Sequence, residues 1–438
     1  MVKYARPKVE DIDLGEFAPD RSDPKALYGL PQTVQFCRKC VISNQRPSSS
    51  VEFKHSKASQ KSTIGFDAEG VCDACRIAEH KQAEVDWDDR ERQLQELCDR
   101  FRRTDGRYDC ILPGSGGKDS FYAAYKLKYE YGMHPLTVTW APHLSTDWGW
   151  RNHQAWIHTG FDNHLVTPNG LVHRLLTRLA VENLFHPFQP FILGQKNLAP
   201  RMANLFDIPL VFYGENEAEY GNPAADFESA QRSHTYFAHN DPSDIYLGGE
   251  TLDVLQRECG LTWNDIHPYL PADAEELDRR GVEVHYLGYY LNWHPQTCYY
   301  YAVEKGGFQA SPERTPGTYS KYNSIDDKID DFHYYTTWTK FGIGRATYDA
   351  AQEVRSGDLD RDEAVALVRR YDGEYPVRFE DEIFQYLSLP SESFPQASRL
   401  FEVPQMDRDY FMALANRFRS PHLWQYDADR GWTLRHRL

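Results

Sequence analysis

No stretch of the 438-residue chain holds the ~20 consecutive apolar residues of a membrane-spanning helix, so no membrane insertion is expected. The opening MVKYARPKVEDIDLGEF lacks the apolar core of a secretion signal, and export is not expected either. Basic residues are in deficit. Against 65 Asp and Glu stand 49 Lys and Arg, a formal net charge of −16. Nucleic-acid affinity comes largely from phosphate neutralisation by Lys and Arg, so the deficit argues against a nucleic-acid partner. Internal repeats and strong low-complexity tracts are also missing, which excludes solenoids. Cysteines number only eight. Without a secretion signal they read as metal ligands or free thiols, not as a disulfide framework. These absences together predict a cytoplasmic protein.

What is present belongs to a packed chain. A hydrophobic share of 41% and an aromatic share of 14% supply an interior, and the length predicts two domains plus accessories. Residues 1–35 are polar and read as an arm. Residues 36–80 carry two cysteine pairs around the loop-like SSSVEFKHSKASQKS. The charged stretch 81–106 sets Leu94, Leu97, Cys98 and Phe101 at helical spacing before Gly106, which predicts a linker helix. From 107 to 345 the strand-like runs YDCILP, HPLTVTW and DIPLVFYG alternate with the helix-like SFYAAYKLKYEYG and LVHRLLTRLAVENLF. That alternation predicts an α/β doubly wound parallel sheet. Residues 346–438 predict a helical region, with Asp360-x-x-Glu363 as a capping box.

The sharpest motif is Pro113-Gly-Ser-Gly-Gly-Lys-Asp-Ser120, set between a predicted strand and a predicted helix. Its glycines let backbone amides approach a phosphate, and the helix N-terminus adds the positive end of its dipole. Ser115 and Ser120 offer hydroxyls to the same oxygens. Asp119 repels a bare phosphate, so its work is to hold Mg²⁺ or to orient the loop. The Walker A spacing is missing. The pattern is instead similar to the SGGxDS signature of PP-loop ATPases, which bind ATP, release pyrophosphate and leave AMP on the substrate. Lys118 occupies the variable position of that signature.

Cys37-x-x-Cys40 and Cys72-x-x-Cys75 form two knuckles. Four thiolates at this spacing suit a closed, structural Zn²⁺ site in a zinc-ribbon-like module; an iron–sulfur cluster uses the same ligands. Cys98 and Cys110 sit on predicted apolar faces and read as packing residues.

Taken with FCRKCVIS, CDAC, LPGSGGKDS, GFDNHLVTPNG, YGENEAEYGNP and NSIDDKIDDFHYYTTWTKFGIGRATYDAAQEVRSG, the chain resembles the N-acetyl sugar amidotransferases of bacterial surface-glycan pathways. The resemblance runs from about 36 to about 385. It implies a PP-loop, HUP-like ATP-binding domain over 107–345. It also implies conversion of a sugar's acetamido group to an acetamidino group with ATP and ammonia. Such sugars occur in lipopolysaccharide O-antigens and in pseudaminic- or legionaminic-type acids. Under this reading Ser115, Gly116, Gly117, Asp119 and Ser120 hold phosphates and Mg²⁺, and the strand at Val138 meets adenine through its backbone.

Gly214-Glu-Asn-Glu217 follows a predicted strand, so Glu215 and Asn216 sit where ligands bind in open α/β sheets, unless they merely cap a turn. By periodicity the IDDK block reads as a helix with Ile325, Ile329 and Phe332 inward and Asp326, Asp327 and Lys328 outward, an ordinary solvated face. The resemblance brings those three, with Asp119 and Lys118, into the catalytic set. Lys340 and Arg345 are the candidate contacts for phosphate or a sugar carboxylate. Tyr220, Tyr334, Tyr335 and Trp338 stack on a ligand or pack the core. No cysteine follows Met1, and none lies in a Gly-x-Cys-x-Gly elbow. Ammonia is therefore expected from solution or, as the resemblance implies, from separate glutaminase and barrel-type subunits. The rival readings are a PP-loop tRNA sulfurtransferase and a zinc-ribbon binding protein with a degenerate nucleotide site.

Overall fold

The computed structural model describes residues 12–222, 228–390, 392 and 405–438. At its centre lies a five-stranded sheet in the order β3-β2-β1-β4-β7. Its strands are β1 (Cys110–Pro113), β2 (Pro135–Trp140), β3 (Asp162–Val166), β4 (Leu210–Tyr213) and β7 (Glu283–Tyr286), all parallel. Two short antiparallel pairs complete the strands: β5 (Tyr246–Leu247) with β6 (Glu250–Thr251), and β8 (Trp424–Asp427) with β9 (Gly431–Leu434). The three strand-like runs of the sequence form β1, β2 and β4. The edge strands β3 and β7 escaped notice because their faces carry Asp, Asn, Glu and His where a buried strand would be apolar.

Side-chain alternation sends β1 and β4 into two cores. Ile111 and Val211 join Leu136, Val138 and Trp140 of β2 beneath helices Gly170–Leu184 and Gln189–Phe206. Leu112, Leu210 and Phe212 face helices Trp87–Phe101, Lys118–Tyr125 and Pro295–Gly306 on the other side. The sheet is thus covered on both faces, as an all-parallel sheet requires. Its order reverses between β1 and β4, and ligands of such sheets bind at that point, beyond the strands' carboxyl ends.

The expected helix before β1 forms, and another helix ends just inside the charged stretch ahead of it. Asp73–Ala83 is followed by Trp87–Phe101, whose N-cap Asp86 accepts from the Asp89 N–H at 3.0 Å. The second helix buries Leu94, Leu97 and Cys98 and stops at Phe101, ahead of Gly106.

Both ends differ from expectation. The Asp360–Glu363 capping box forms, opening helix Arg361–Tyr371, but the chain finishes in the β8–β9 hairpin instead of a helix. Residues 1–11 of the expected arm lie outside the described residues. From residue 12 the arm packs on the hairpin. Phe17 meets Trp432 edge-on at 4.9 Å, and the Leu27 N–H donates to Ser420 Oγ at 2.9 Å. Trp424 is fully buried and donates its Nε1–H to the Thr339 carbonyl. No described helix is long and apolar enough to cross a membrane.

Candidate active site

β1 runs into the Pro113–Ser120 loop, called the phosphate loop for the contact its glycines are expected to make. Gly116 has φ +84°, and a Cβ there would lie 2.7 Å from His153 Cα and 2.8 Å from the Asn152 carbonyl. Conformation and space both demand glycine. Gly117 is the N-cap of helix Lys118–Tyr125, so the amides of its first turn, four of them without intrahelical acceptors, border the loop. Ser120 Oγ donates to the Gly117 carbonyl at 3.0 Å, which turns its proton inward. Lys118 is buried and pairs with Asp119 at 2.6 Å. Burial opposes its charge, but Asp119, Cys298 and Glu215 outweigh burial and raise its pKa.

The IDDK block corrects the sequence reading. It is not a helix: Ser324 has φ +50°, and helix Asp330–Phe341 begins only after the block. Residues 325–328 instead form a strap bonded to the loop that follows β2. The Thr146 N–H donates to the Asp326 carbonyl (3.1 Å) and the Lys328 N–H to the Leu144 carbonyl (2.9 Å), around the antiparallel bridge Ser145–Asp327. Asp326 faces the phosphate loop, hydrogen-bonded to Ser115, and burial raises its carboxyl pKa. Asp327, its side chain 2% exposed, accepts from the His143 N–H (2.6 Å), His143 Nδ1 (2.7 Å) and the Ile329 N–H (3.0 Å). It holds the strap in place. Lys328 turns away to pair with Glu382.

Two cavities of about 530 and 460 Å³ meet here. Ser115, Gly117, Asp119, Glu215 and Asp326 line both. Gly116, Lys118, Tyr220 and Arg345 line only the first, whose far wall is Ile42, Arg46 and Ser49 of the cysteine-bearing segment. Ser120, Val138 and Asp327 line the second, beyond the ends of β1, β2, β4 and β7. Three expected site residues reach neither. Asn216 is buried and caps a turn, its Oδ1 accepting from the Ala218 N–H at 3.0 Å. Lys328 is engaged as above. Lys340 is buried, donates to the Leu184 carbonyl at 2.7 Å and stands 5.0 Å from the Tyr28 ring centre. Burial, then Lys61, draws its pKa down to about 7. Of the aromatic candidates, Tyr334 reaches both cavities, while Tyr335 and Trp338 pack inside, Trp338 edge-on to Trp424 at 4.6 Å.

Asp330, His333, Arg46 and Arg355 also reach the cavities and were missed. Nothing local marks them: His333 sits in an aromatic run that reads as packing, and the arginines in polar stretches that read as surface.

The four knuckle cysteines are buried, with Sγ–Sγ separations of 3.8 Å (Cys37–Cys75) and 3.7 Å (Cys40–Cys72). All four Sγ atoms lie within 4.8 Å of one another. Thiolates 2.3 Å from one tetrahedral ion stand about 3.8 Å apart, so the set fits a single zinc-sized ion. A multi-iron cluster with one thiolate per iron would hold the sulfurs further apart. Backbone N–H groups of Lys39 and Cys72 point at Cys37 Sγ, each 3.4 Å away, and Arg355 Nη1 is 4.0 Å from Cys40 Sγ. Arg355 thereby joins the metal-capable module to the first cavity.

Residues 316–438 match the family model described as LPS biosynthesis protein WbpG-like, C-terminal domain. No curated protein matches the chain. The WbpG-like span supplies the strap and helix Asp330–Phe341, which border both cavities, and Arg345 and Arg355, which line the first. It links these residues to a family of lipopolysaccharide-biosynthesis proteins. The phosphate loop and the four cysteines lie outside the matched residues.

Proposed function

We propose that the chain is an ATP-dependent enzyme of surface-glycan biosynthesis that converts a sugar acetamido group to an acetamidino group. The observation that carries this reading is the pair of cavities joined across the phosphate loop and Asp326. A reaction between a nucleotide and a second, polar substrate needs two such spaces with one common boundary. ATP takes the second cavity, with its phosphates at the Ser115–Gly117 amides and its base toward Val138. The sugar takes the first, against Glu215, Tyr220 and Arg345. Asp119 and Asp326 suit Mg²⁺: both are carboxylates on the shared boundary, and a cation would relieve the burial that raises the Asp326 pKa. Cys37, Cys40, Cys72 and Cys75 hold a structural Zn²⁺.

The chemistry follows from the weakness of an amide as an electrophile. Its oxygen attacks the α-phosphorus of ATP and pyrophosphate leaves, giving a cationic adenylylated imidate. Ammonia adds to the imidate carbon, and the C–O bond breaks with its electron pair leaving on AMP. Ammonia comes from separate glutaminase and barrel-type subunits in the cytoplasm. Thiolation of tRNA would need a reactive cysteine at this boundary. Cys98, Cys110, Cys259 and Cys298 are all buried and line neither cavity, and burial pushes the Cys298 thiol well up.

ATP–pyrophosphate exchange with a panel of N-acetylated sugars and nucleotide sugars tests the reading. Exchange is expected only with the correct acetamido sugar, and ammonium then yields AMP and an amidine. ADP as the product, or exchange that ignores every sugar, overturns it.

A further inference from the structure

Where the cavities join, one ring stands without a partner. His333, in the first turn of helix Asp330–Phe341, lines both. Its Nδ1 is buried with no hydrogen-bond partner. The residue as a whole is only partly buried and borders the space of both cavities. The ring is locked by packing: His186 stacks on it at 5.1 Å, and Phe188 and Tyr334 lie 5.0 and 5.1 Å away. Leaving a buried polar atom unsatisfied costs about 1–3 kcal/mol, and such atoms in native proteins call for an explanation.

The other side chains at the junction are already committed. Asp119 pairs with Lys118, Asp326 accepts from Ser115, and the Tyr334 hydroxyl accepts from Arg345. Burial first, then His186 and Arg345, holds the His333 pKa well below the usual imidazole range. The ring is therefore neutral near pH 7, with a lone pair to offer.

Resting on the amidination reading above, we propose that His333 is the base that takes the proton from the attacking ammonia. Neutral ammonia forms the C–N bond to the adenylylated imidate carbon, and the C=N electron pair moves onto the former amide nitrogen. The new substituent is an ammonium group. One of its protons passes to the His333 lone pair, AMP then leaves with the C–O electron pair, and an amidinium remains. His333 returns the proton to solvent, so no oxidant or further reactant is needed.

The test separates the half-reactions in the full chain with ATP, Mg²⁺, an exchange-competent acetamido sugar and ammonium chloride. His333→Asn should lower ammonia-dependent amidine formation ~100-fold or more. Pyrophosphate exchange should stay within the same order of magnitude, with AMP then released by water and without amidine. An equal fall in both, or in neither, overturns the assignment. Absence of sugar-dependent exchange in the wild type instead overturns the amidination reading, and the role of His333 with it.

The wild-type pH profile is a second measurement should the variant not fold. Expressed per neutral ammonia, amidine formation should fall on the acid side with an apparent pKa below about 6.5. A flat profile overturns the proposal. Groups facing the ring are His186 and Glu52, His143 from the loop after β2, Arg345, and the cleft carboxylates Asp326 and Asp330. In a folded His333→Asn protein the acid limb must disappear; its survival would assign the limb to one of these neighbours.

Discussion

The two walls of the cleft are built differently. The phosphate loop is shaped by backbone: Gly116 at φ +84° is pressed against the Asn152–His153 backbone, and a helix N-terminus follows Gly117. Its side chains carry little of its shape, so a ligand can claim them without unfolding the loop. The strap at 325–328 is shaped by one side chain. The Asp327 carboxylate gathers donors from His143 and Ile329 and fixes the strap to the loop after β2, which leaves Asp326 aimed at the loop opposite. A backbone-built wall separates chemistry from stability. A side-chain-built wall couples them.

Substitutions should expose that difference. The largest effect is expected on the loop side. Asp119→Asn should lower ATP-dependent turnover by ~10³-fold, while the melting temperature stays near that of wild type, since the amide oxygen can still accept from buried Lys118. A melting temperature that falls with turnover would make this wall as side-chain-dependent as the other. Next comes the module behind the first cavity. Cys72→Ser should take metal content from about one zinc per chain to none and lower the melting temperature by roughly 10 °C, because binding free energy at a closed site is folding free energy. Iron with a visible charge-transfer band in the wild type would contradict this. On the strap, Asp327→Ala strands buried donors and should destabilise by about 2–4 kcal/mol, read as a shift in the urea midpoint. Its activity loss should follow as weaker ATP binding. Stability equal to wild type would mean that the strap holds itself.

The same contrast explains what the sequence disclosed. The loop was legible because its shape lives in residue types at fixed spacing, glycine above all, and so was the gathering of the four cysteines. β1, β2 and β4 were legible as apolar runs. The strap was not. Its Ile325, Ile329 and Phe332 are all buried and satisfy helical spacing, but a φ of +50° at Ser324 and pairing to a loop about 180 positions earlier (Asp327 to Ser145) decide its geometry. A local pattern cannot report a non-local partner. Asn216 took the turn cap that the sequence also allowed, accepting from the Ala218 N–H two residues on, and His333 went unseen because its significance lies in the hydrogen bond that its Nδ1 lacks.

Lys340 tests the interior end of the helix that the strap begins. The sequence offered it as an anion contact, yet it is buried among Tyr28, Phe341 and Phe418 and donates to the Leu184 carbonyl. Its pKa falls from 10.5 to about 7 on folding, burial being the main cause and Lys61 the second. The folded chain therefore binds fewer protons at this site than the unfolded chain between those two values. Stability must rise with pH across that window, by up to about 1.4 kcal/mol per unit for this one group. Below pH 7 the full cost of burying the charge is paid. Lys340→Met removes the titrating group and keeps most of the apolar stem, so the variant should be more stable than wild type near pH 6. Its advantage should shrink steadily toward pH 9. The difference between the two unfolding free energies isolates Lys340 from every other titrating group. A difference that does not change with pH would mean that Lys340 keeps its ordinary pKa in the fold. The residue would then be solvated and within reach of an anion, as the sequence first suggested, and the interior end of this wall would be open where it is described as closed.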